Sequence, residues 1–508
     1  MKKILFVNPP QSYPLDLESE YQSYVPIGIA CVAAAAQEVD GFQVKIFDYL
    51  DTEFKQYIND KVVFGKNDIE FINILNDYLP DIVAISNPFS MFLEDSNHIA
   101  TIVKKFNSNI LVFLGGISST IKEIVHSLFK LQLYDVFIKG EGEITTKELL
   151  ENFDKKSSSI KNLTNIKGIW YKSNNQYFEC DNREYLIDLD KLPFPAFQLL
   201  NMESILNNKY YCRWRNDPLD KKSMPVFTSR GCPYNCIFCS VHSQVGFKHR
   251  VFSNEYVIKY INYCKDNFGV THFHFEDDNL TLNYNKSKRL FEMLKPLNIT
   301  WDTPNGVRAD KLDENLIKLM IESGLSSLSV AAESGNQNVL NNIINKRLDL
   351  KSIINVSQIC NKFNLPCIVF FVVGFPGETL SDISDTIEFA KKLSKKYGTI
   401  NMMYVANPLP GTRLEKICKS KKYLNKKIDS FEYLKAIRIN QSSLIKTSDF
   451  SKKDIFDLFF SLVNKEDYKI HGSSIPMFWY NNVNTMNRVK AVYPKLNYNK
   501  KNEWVWNG

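Results

Sequence analysis

The sequence predicts an α/β protein: an N-terminal doubly wound parallel sheet, then a partial (β/α)6 barrel, then a small, mainly helical C-terminal region. Three observations predict it. Short apolar runs alternate with helix-length segments from residue 3 to about residue 140, the rhythm of a parallel sheet covered on both faces. The rhythm resumes at residue 226 and completes six strand–helix units by residue 412, too few for a closed eight-stranded barrel. At 508 residues the chain also exceeds one ordinary core. The expected domains are 1–150, a linker at 151–225, the barrel at 226–412 and a C-terminal region at 413–508.

In the first part, apolar strands at 3–7, 43–47, 82–85, 110–114 and 136–138 are separated by helical segments at 27–39, 96–106 and 121–129. Ligands of such sheets sit at the carboxyl ends of the strands. Those ends are free of bulky side chains here: Asn8 and Pro9; Ser86 and Asn87; Gly115 and Gly116, followed by Ser118; and Gly140, Glu141, Gly142 and Glu143. Small residues let backbone N–H groups approach a large flat or phosphate-bearing ligand, and a hydroxyl such as Ser118 caps a helix or binds phosphate. Each loop taken singly also reads as an ordinary tight turn. The linker is charged and serine-rich over 153–159, carries a small hairpin around Asn174 and Asn175, and stiffens at Leu192-Pro193-Phe194-Pro195.

The second part opens with a short strand and the array Cys232, Cys236, Cys239, with Gly231 and Pro233 forcing a loop. Three thiolates on one loop reach three corners of an iron–sulfur cube and leave the fourth iron without a protein ligand. Structural zinc would want four ligands. Strands at 270–275, 299–303, 326–331, 368–373 and 400–405 each lead to a polar or glycine-rich turn. In order these turns hold Glu276-Asp277-Asp278-Asn279, Arg308 within 306–310, Glu333-Ser334-Gly335, Gly374-Phe375-Pro376-Gly377-Glu378-Thr379, and residues 407–412. Carboxylates at the second strand end suit a cationic amino group. His272 and His274 share one face of that strand, but no third ligand stands near them in the sequence, which argues against a histidine metal site.

The helices between, at 255–267, 285–295, 314–322, 350–363 and 380–395, are amphipathic. Beyond residue 412, a basic run at 416–427 reads as a solvated face and 453–464 as an amphipathic helix, while 476–480 and 504–506 are aromatic. A helical cap on the barrel is expected, with a substrate lid as the other reading.

Composition excludes several classes. A net charge of +7, from 63 basic and 56 acidic residues without a basic block, gives no footprint for nucleic acid. Ten cysteines without the spacing of a secreted disulfide scaffold point to a reducing cytoplasm. The apolar N-terminal run ends at Asn8-Pro9-Pro10 and no later run is long enough to span a membrane, so a soluble, cytoplasmic protein is expected.

The cysteine array and its ordered turns resemble the radical S-adenosylmethionine (radical SAM) enzymes. The N-terminal strand ends resemble the Rossmann-like cobalamin (B12)-binding domain of their cobalamin-dependent branch. The resemblance implies a [4Fe-4S] cluster on Cys232, Cys236 and Cys239, with S-adenosylmethionine chelating the open iron. It places S-adenosylmethionine among Phe238, Glu276, Asp277, Asp278, Arg308, Glu333, Ser334, Gly374 and Pro376, and cobalamin over the strand-end residues named above. It further implies an enzyme whose 5′-deoxyadenosyl radical takes a substrate hydrogen while methylcobalamin supplies a methyl group. The expected activity is C-methylation of an unactivated carbon in a small molecule, lipid or peptide, with an electron donor such as flavodoxin or ferredoxin.

Ring contraction, cyclisation or another rearrangement with the same cofactors is the alternative. A methylthiotransferase would bring further N-terminal cluster cysteines, whereas Cys31 is the only cysteine before Cys180. A non-enzymatic iron–sulfur protein would not need the turns at 276–278 and 374–379. No catalytic side chain is singled out. The chain departs from the methyltransferase and mutase type of cobalamin domain in lacking D-x-H-x-x-G. His98 and His126, the only histidines before residue 242, fall in helical segments, so the resemblance implies cobalt without histidine below it.

Overall fold

The computed structural model describes residues 1–154, 156–157, 159–211, 222–424 and 444–462, and the strands at 468–470, 476–478, 496–498 and 504–506. The chain divides into two compact units, Met1–Tyr211 with Val241–Gly246, and Cys212–Ser240 with Phe247–Gly508.

The first unit is built on a seven-stranded sheet in the order 176–179, 169–173, 136–138, 111–116, 82–87, 2–8 and 42–48. The last five of these are parallel. Strand Lys2–Asn8 pairs on one side with Phe42–Asp48 and on the other with Ile82–Asn87, so strand order reverses beside Asn8. A crevice opens at the carboxyl ends of the strands at such a reversal. Alternate residues of each strand enter two separate cores: Ile4, Phe6 and Phe113 on one face, and Leu5, Val7, Val112 and Leu114 on the other. Burial on both faces explains the unbroken apolar runs. Helix Ile27–Gln37 contributes Ala33, Ala34 and Ala36 to the first core, small side chains that let helix and sheet approach closely.

Two features of this unit had no counterpart in the sequence reading. Strands Gln11–Pro14, Lys61–Phe64 and Lys55–Ile58 form a small antiparallel sheet. Helix Asp68–Tyr78 starts in a capping box, with Asn67 accepting from the Glu70 N–H and Glu70 reaching back to the Asn67 N–H. The stretch read as a linker is also more than a tether. Its hairpin, Ile169–Ser173 with Gln176–Glu179, turns at Asn174 and Asn175 with φ of 47° and 60° and adds two antiparallel strands to Val136–Ile138. Burial of Ile169, Trp170, Leu189, Phe197 and Leu206 is the physical reason that it folds with the first unit.

In the second unit, strands Lys222–Val226, Val270–Phe275, Thr300–Asp302, Leu325–Glu333, Cys367–Val373 and Ile400–Val405 lie side by side in chain order and parallel. They form an open arc of six. Helices Asn254–Phe268, Tyr284–Leu294, Glu314–Glu322, Leu350–Lys362 and Leu380–Tyr397 connect them, started by capping side chains of Ser253, Asn283, Asp313, Asp349 and Thr379. Beyond residue 412, helices Arg413–Ser420 and Lys452–Leu462 are joined by strands as well. Pro476–Phe478 pairs antiparallel with Ile400–Val405, and Tyr468–Ile470 pairs with Pro476–Phe478 in turn. Residues 425–427 of the basic run, 463–464 of the expected helix and 479–480 of the aromatic run lie outside the described residues. Among the described residues no helix is long and apolar enough to cross a membrane.

Two adjacent glycines at the end of strand Leu111–Gly116 differ in what they tolerate. Gly116 has φ +102° and a Cβ there would lie 2.1 Å from the Asn87 carbonyl oxygen, whereas a Cβ on Gly115 meets nothing within 4 Å. Gly116→Val is therefore expected to destabilise the first unit by at least about 2 kcal/mol. Gly115→Val should change stability by no more than about 0.5 kcal/mol. Thermal and chemical unfolding of the two variants checks the contrast; equal stability would mean that the strand end is not packed as described.

Candidate active site

Cys232, Cys236 and Cys239 stand on the loop that follows the first barrel strand. All three are half-buried and none is in a disulfide, while Cys264, Cys360, Cys367 and Cys418 are buried. Neighbouring backbone clamps the loop: the Ile237 N–H donates to the Ile344 carbonyl at 3.0 Å, and the Leu414 N–H donates to the Ile237 carbonyl at 2.8 Å. The Asn345 side chain donates to the Asn235 carbonyl at 2.9 Å. Burial pushes the Cys232 and Cys236 thiols above the ordinary cysteine value. Thiols held this way become thiolates when a cationic metal centre compensates them, so the loop fits a cluster.

The turn after the second strand braces that loop. Asp277, 3% exposed, accepts from the Thr228 N–H at 3.1 Å, from the Thr228 hydroxyl at 2.8 Å and from the Ser229 hydroxyl. Asp278 accepts from the Gly231 N–H at 3.0 Å. Burial pushes Asp277 up to about 6. Glu276 beside them is half-buried. Two of the three carboxylates expected at S-adenosylmethionine thus hold the first strand and the start of the cysteine loop.

Arg308 is likewise engaged within the protein. Its Nε and Nη2 each lie 3.0 Å from the Asp310 carboxylate, Nη1 donates to the Lys346 carbonyl at 3.0 Å, and Cζ sits 3.6 Å from the ring centre of Tyr234. Tyr234 lies between the first two cysteines, so the guanidinium acts as a platform for the cysteine loop. Glu333 ends the fourth strand with φ +67°, a conformation costly for a non-glycine residue. Its Oε1 accepts from Lys346 Nζ at 2.8 Å, with both side chains almost wholly buried. The charges of Lys346, Glu333 and Arg308 all act on the Cys236 thiol, which places them around the cysteine loop.

Ser334 is fully buried and joins Thr386 Oγ1 at 3.0 Å, a contact to a helix. The fifth turn is closed from inside: Glu378 Oε2 accepts from the Gly374 N–H at 2.7 Å and the Phe375 N–H at 2.6 Å. Pro376 is half-buried, and Phe375 faces Phe238 of the cysteine loop with ring centres 5.7 Å apart. Tyr234, Lys346 and Asp310 escaped the sequence reading. Tyr234 was visible inside the cysteine array, but nothing in the sequence pairs Lys346 with Glu333.

In the first unit, some expected residues are structural and others carry buried polar atoms without a partner. Asn8 donates to Asp48 at 2.7 Å beside buried Pro9, and Glu143 is buried in the first turn of helix Glu143–Glu151. The Gly140 N–H donates to the Thr120 hydroxyl at 2.9 Å. Ser86, Glu141 and Gly142 are half-buried. Asn87 donates to Ser96 at 3.1 Å, but its Oδ1 is buried without a partner, as is the hydroxyl of Ser118. Orphaned polar atoms beside the open space at Gly115 fit a ligand with both flat surface and polar edges. His98 pairs with Asp68 at 2.8 Å, and His126 packs at right angles to Trp170 with ring centres 5.3 Å apart. Both histidines are used elsewhere.

The radical SAM superfamily signature matches residues 226–390. A methyltransferase of Pyrococcus horikoshii, itself uncharacterized, is 30% identical over 419 residues, covering 81% of this chain and 82% of the relative. The radical SAM methyltransferase TsrM of Kitasatospora setae, solved with cobalamin and a [4Fe-4S] cluster bound, superposes with a TM-score of 0.62 at 14% identity, over 97% of this chain and 91% of that one. The chain belongs to the radical SAM enzymes. Cytidylyl-2-hydroxyethylphosphonate methyltransferase of Streptomyces wedmorensis matches this radical SAM enzyme at 25% identity over 454 residues, 82% of each chain. The cobalamin-dependent radical SAM enzyme OxsB, with aqua-cobalamin and S-adenosylmethionine bound, shares its fold with a TM-score of 0.60 at 15% identity, over 97% of this chain and 66% of that one.

Glu378 gives the radical SAM barrel a pH signature. Burial pushes its pKa from the ordinary 4.5 up to about 8, and its Oε1 is buried without a partner. A raised folded-state pKa means that the folded protein holds a proton the unfolded chain has lost. That contribution to stability is complete below the unfolded value and lost as pH rises towards the folded one. From about pH 5.5 to about pH 7.5, wild type is expected to lose roughly 1 kcal/mol per pH unit relative to Glu378→Gln. Denaturant titrations of both proteins across pH check this; parallel curves would show that Glu378 is ionised in the fold.

Proposed function

We propose that this radical SAM enzyme is a cobalamin-dependent C-methyltransferase acting on an unactivated carbon of a small molecule, lipid or peptide. The observation that carries the reading is the presence in one chain of two prepared sites: a clamped loop of three half-buried, unbridged cysteines, and a strand-end crevice with open space at Gly115 and orphaned polar atoms on Asn87 and Ser118. The methyltransferase names of the Pyrococcus horikoshii and Streptomyces wedmorensis relatives support the reaction class.

In this reading Cys232, Cys236 and Cys239 hold the cluster. Phe238, Phe375, Glu276, Glu333 and the turn 374–376 hold S-adenosylmethionine, with Asp277, Asp278, Arg308 and Ser334 supporting them, and the residues around Gly115 and Ser118 hold cobalamin. When bound, these groups supply one-electron chemistry and a transferable methyl group that no side chain possesses. The protein's own part is positioning. Tyr234 on Arg308, Asp278 on Gly231 and Asp277 on Thr228 fix the cysteine loop, and the Lys346 cation favours a thiolate at Cys236. A one-electron donor such as flavodoxin or ferredoxin would complete the system, and a reducing cytoplasm would suit it.

The two sites are expected to separate by mutation. Replacing Cys232, Cys236 and Cys239 together by alanine should remove about four irons per chain and abolish release of 5′-deoxyadenosine from S-adenosylmethionine, with cobalamin still bound. Gly115→Val should keep the irons and lose cobalamin. Iron and cobalt counts after anaerobic reconstitution, with chromatography of the nucleoside, read both. A triple variant with its full iron load would put the cluster elsewhere, and undiminished cobalamin in Gly115→Val would remove the strand ends from that site.

A further inference from the structure

His272 and His274 lack a third ligand only along the sequence; the fold brings one from the next strand. Phe275 and Phe291 pack on Trp301 with ring centres 4.8 and 5.1 Å away, which turns the odd-numbered face of the second strand toward helix Tyr284–Leu294. His272 and His274 occupy the opposite face. They pair in register with Thr300 and Asp302 of the third strand. His272 is 0% exposed, Asp302 2% and His274 9%. His274 Nδ1 lies 2.8 Å from Asp302 Oδ1.

The ring of His272 is anchored by its neighbour on the third strand. Its Nδ1 is 2.8 Å from the Thr300 hydroxyl oxygen, whose own O–H points to the Thr271 carbonyl at 3.5 Å. In the tautomer in which Nδ1 donates to that hydroxyl, Nε2 carries the lone pair. That Nε2 is buried without a hydrogen-bond partner and lies 3.9 Å from Asp302 Oδ2. Two acceptors facing each other in a dry interior are stabilised by a cation between them. An imidazole whose other nitrogen is already anchored is the usual form of a metal-bound histidine.

We propose that His272, His274 and Asp302 form a metal site inside the barrel, chemically distinct from the cysteine loop, that binds one divalent first-row cation of the zinc type. One ligating atom from each residue lies within 4.8 Å of those from the other two. Bonds of about 2.0 to 2.2 Å to nitrogen and oxygen would close the 3.9 Å gap with a small movement of the imidazole. Two imidazoles and a carboxylate suit zinc and leave at least one coordination position open. With both imidazoles neutral the trio carries one net negative charge, which a proton could also cancel; the test separates the two cations.

Full-length protein, anaerobically reconstituted with iron, sulfide and cobalamin, is given zinc and freed of loose metal by gel filtration, and all three metals are counted. The expected result is about one zinc per chain, reduced at least tenfold in His272→Gln and in Asp302→Asn, with iron and cluster absorbance unchanged. Because a buried substitution can unfold the barrel, zinc K-edge absorption of the wild-type protein gives a second reading. Nitrogen and oxygen neighbours at about 2.0 Å with imidazole outer shells support the site; sulfur at about 2.3 Å assigns the zinc to cysteines and overturns it. No retained zinc, or equal retention by both variants, also overturns it and leaves a trio neutralised by protons.

Discussion

The geometry of the cysteine loop depends on carboxylates from the neighbouring strand. A loop that carries three cysteines in one fixed shape needs interactions to hold it, because each ordered residue costs backbone entropy of about 1 to 2 kcal/mol. Asp277 and Asp278 supply the opposing interaction: the first ties down Thr228 and Ser229, the second the Gly231 N–H immediately before Cys232. Arg308 then holds Tyr234 from below, its own orientation set by Asp310 and the Lys346 carbonyl. The residues that look most like ligands from their charge are thus largely the scaffold of the cysteine loop. Glu276 stands half-buried in the same turn.

Both units place their special residues at the carboxyl ends of parallel strands, and both do so by putting bulk on the helix-facing side and small or polar groups at the ends. In the first unit Asn87, Gly115 and Gly116 end neighbouring strands on one side of the reversal of strand order beside Asn8, and Ser118 follows them. In the second, Trp301 and its phenylalanine neighbours turn a polar face inward, where His272, His274, Thr300 and Asp302 lie. Buried polar groups in that number are costly unless each is answered by a partner, a cation or a ligand.

Much of this was legible in the sequence because parallel strands buried on two faces leave unbroken apolar runs, and because each helix of the barrel opens on a capping side chain. The helix Asp68–Tyr78 and the small sheet beside it were missed although Asn67 and Glu70 spell a capping box, since no apolar run marks the exposed strand Lys55–Ile58. The hairpin 169–179 was legible from Asn174 and Asn175, but its attachment to the first unit was not, because Ile169 and Trp170 join two cores whose other members lie far away in the chain. The cysteine array could be read because its spacing is local. Arg308 with Tyr234, Glu333 with Lys346 and the histidines with Asp302 could not be paired, because those contacts depend on strand register and on turns that bring distant residues together.

The central claim is that one chain both cleaves S-adenosylmethionine reductively and passes its methyl group through cobalamin. Anaerobically reconstituted protein, supplied with reductant and S-adenosylmethionine bearing a trideuterated methyl group, tests it by mass spectrometry of the bound cobalamin and the released nucleoside. Trideuterated methylcobalamin together with 5′-deoxyadenosine from the same preparation is the predicted result. 5′-Deoxyadenosine with cobalamin that never acquires the label would contradict methyl transfer and leave a radical enzyme of the rearranging kind.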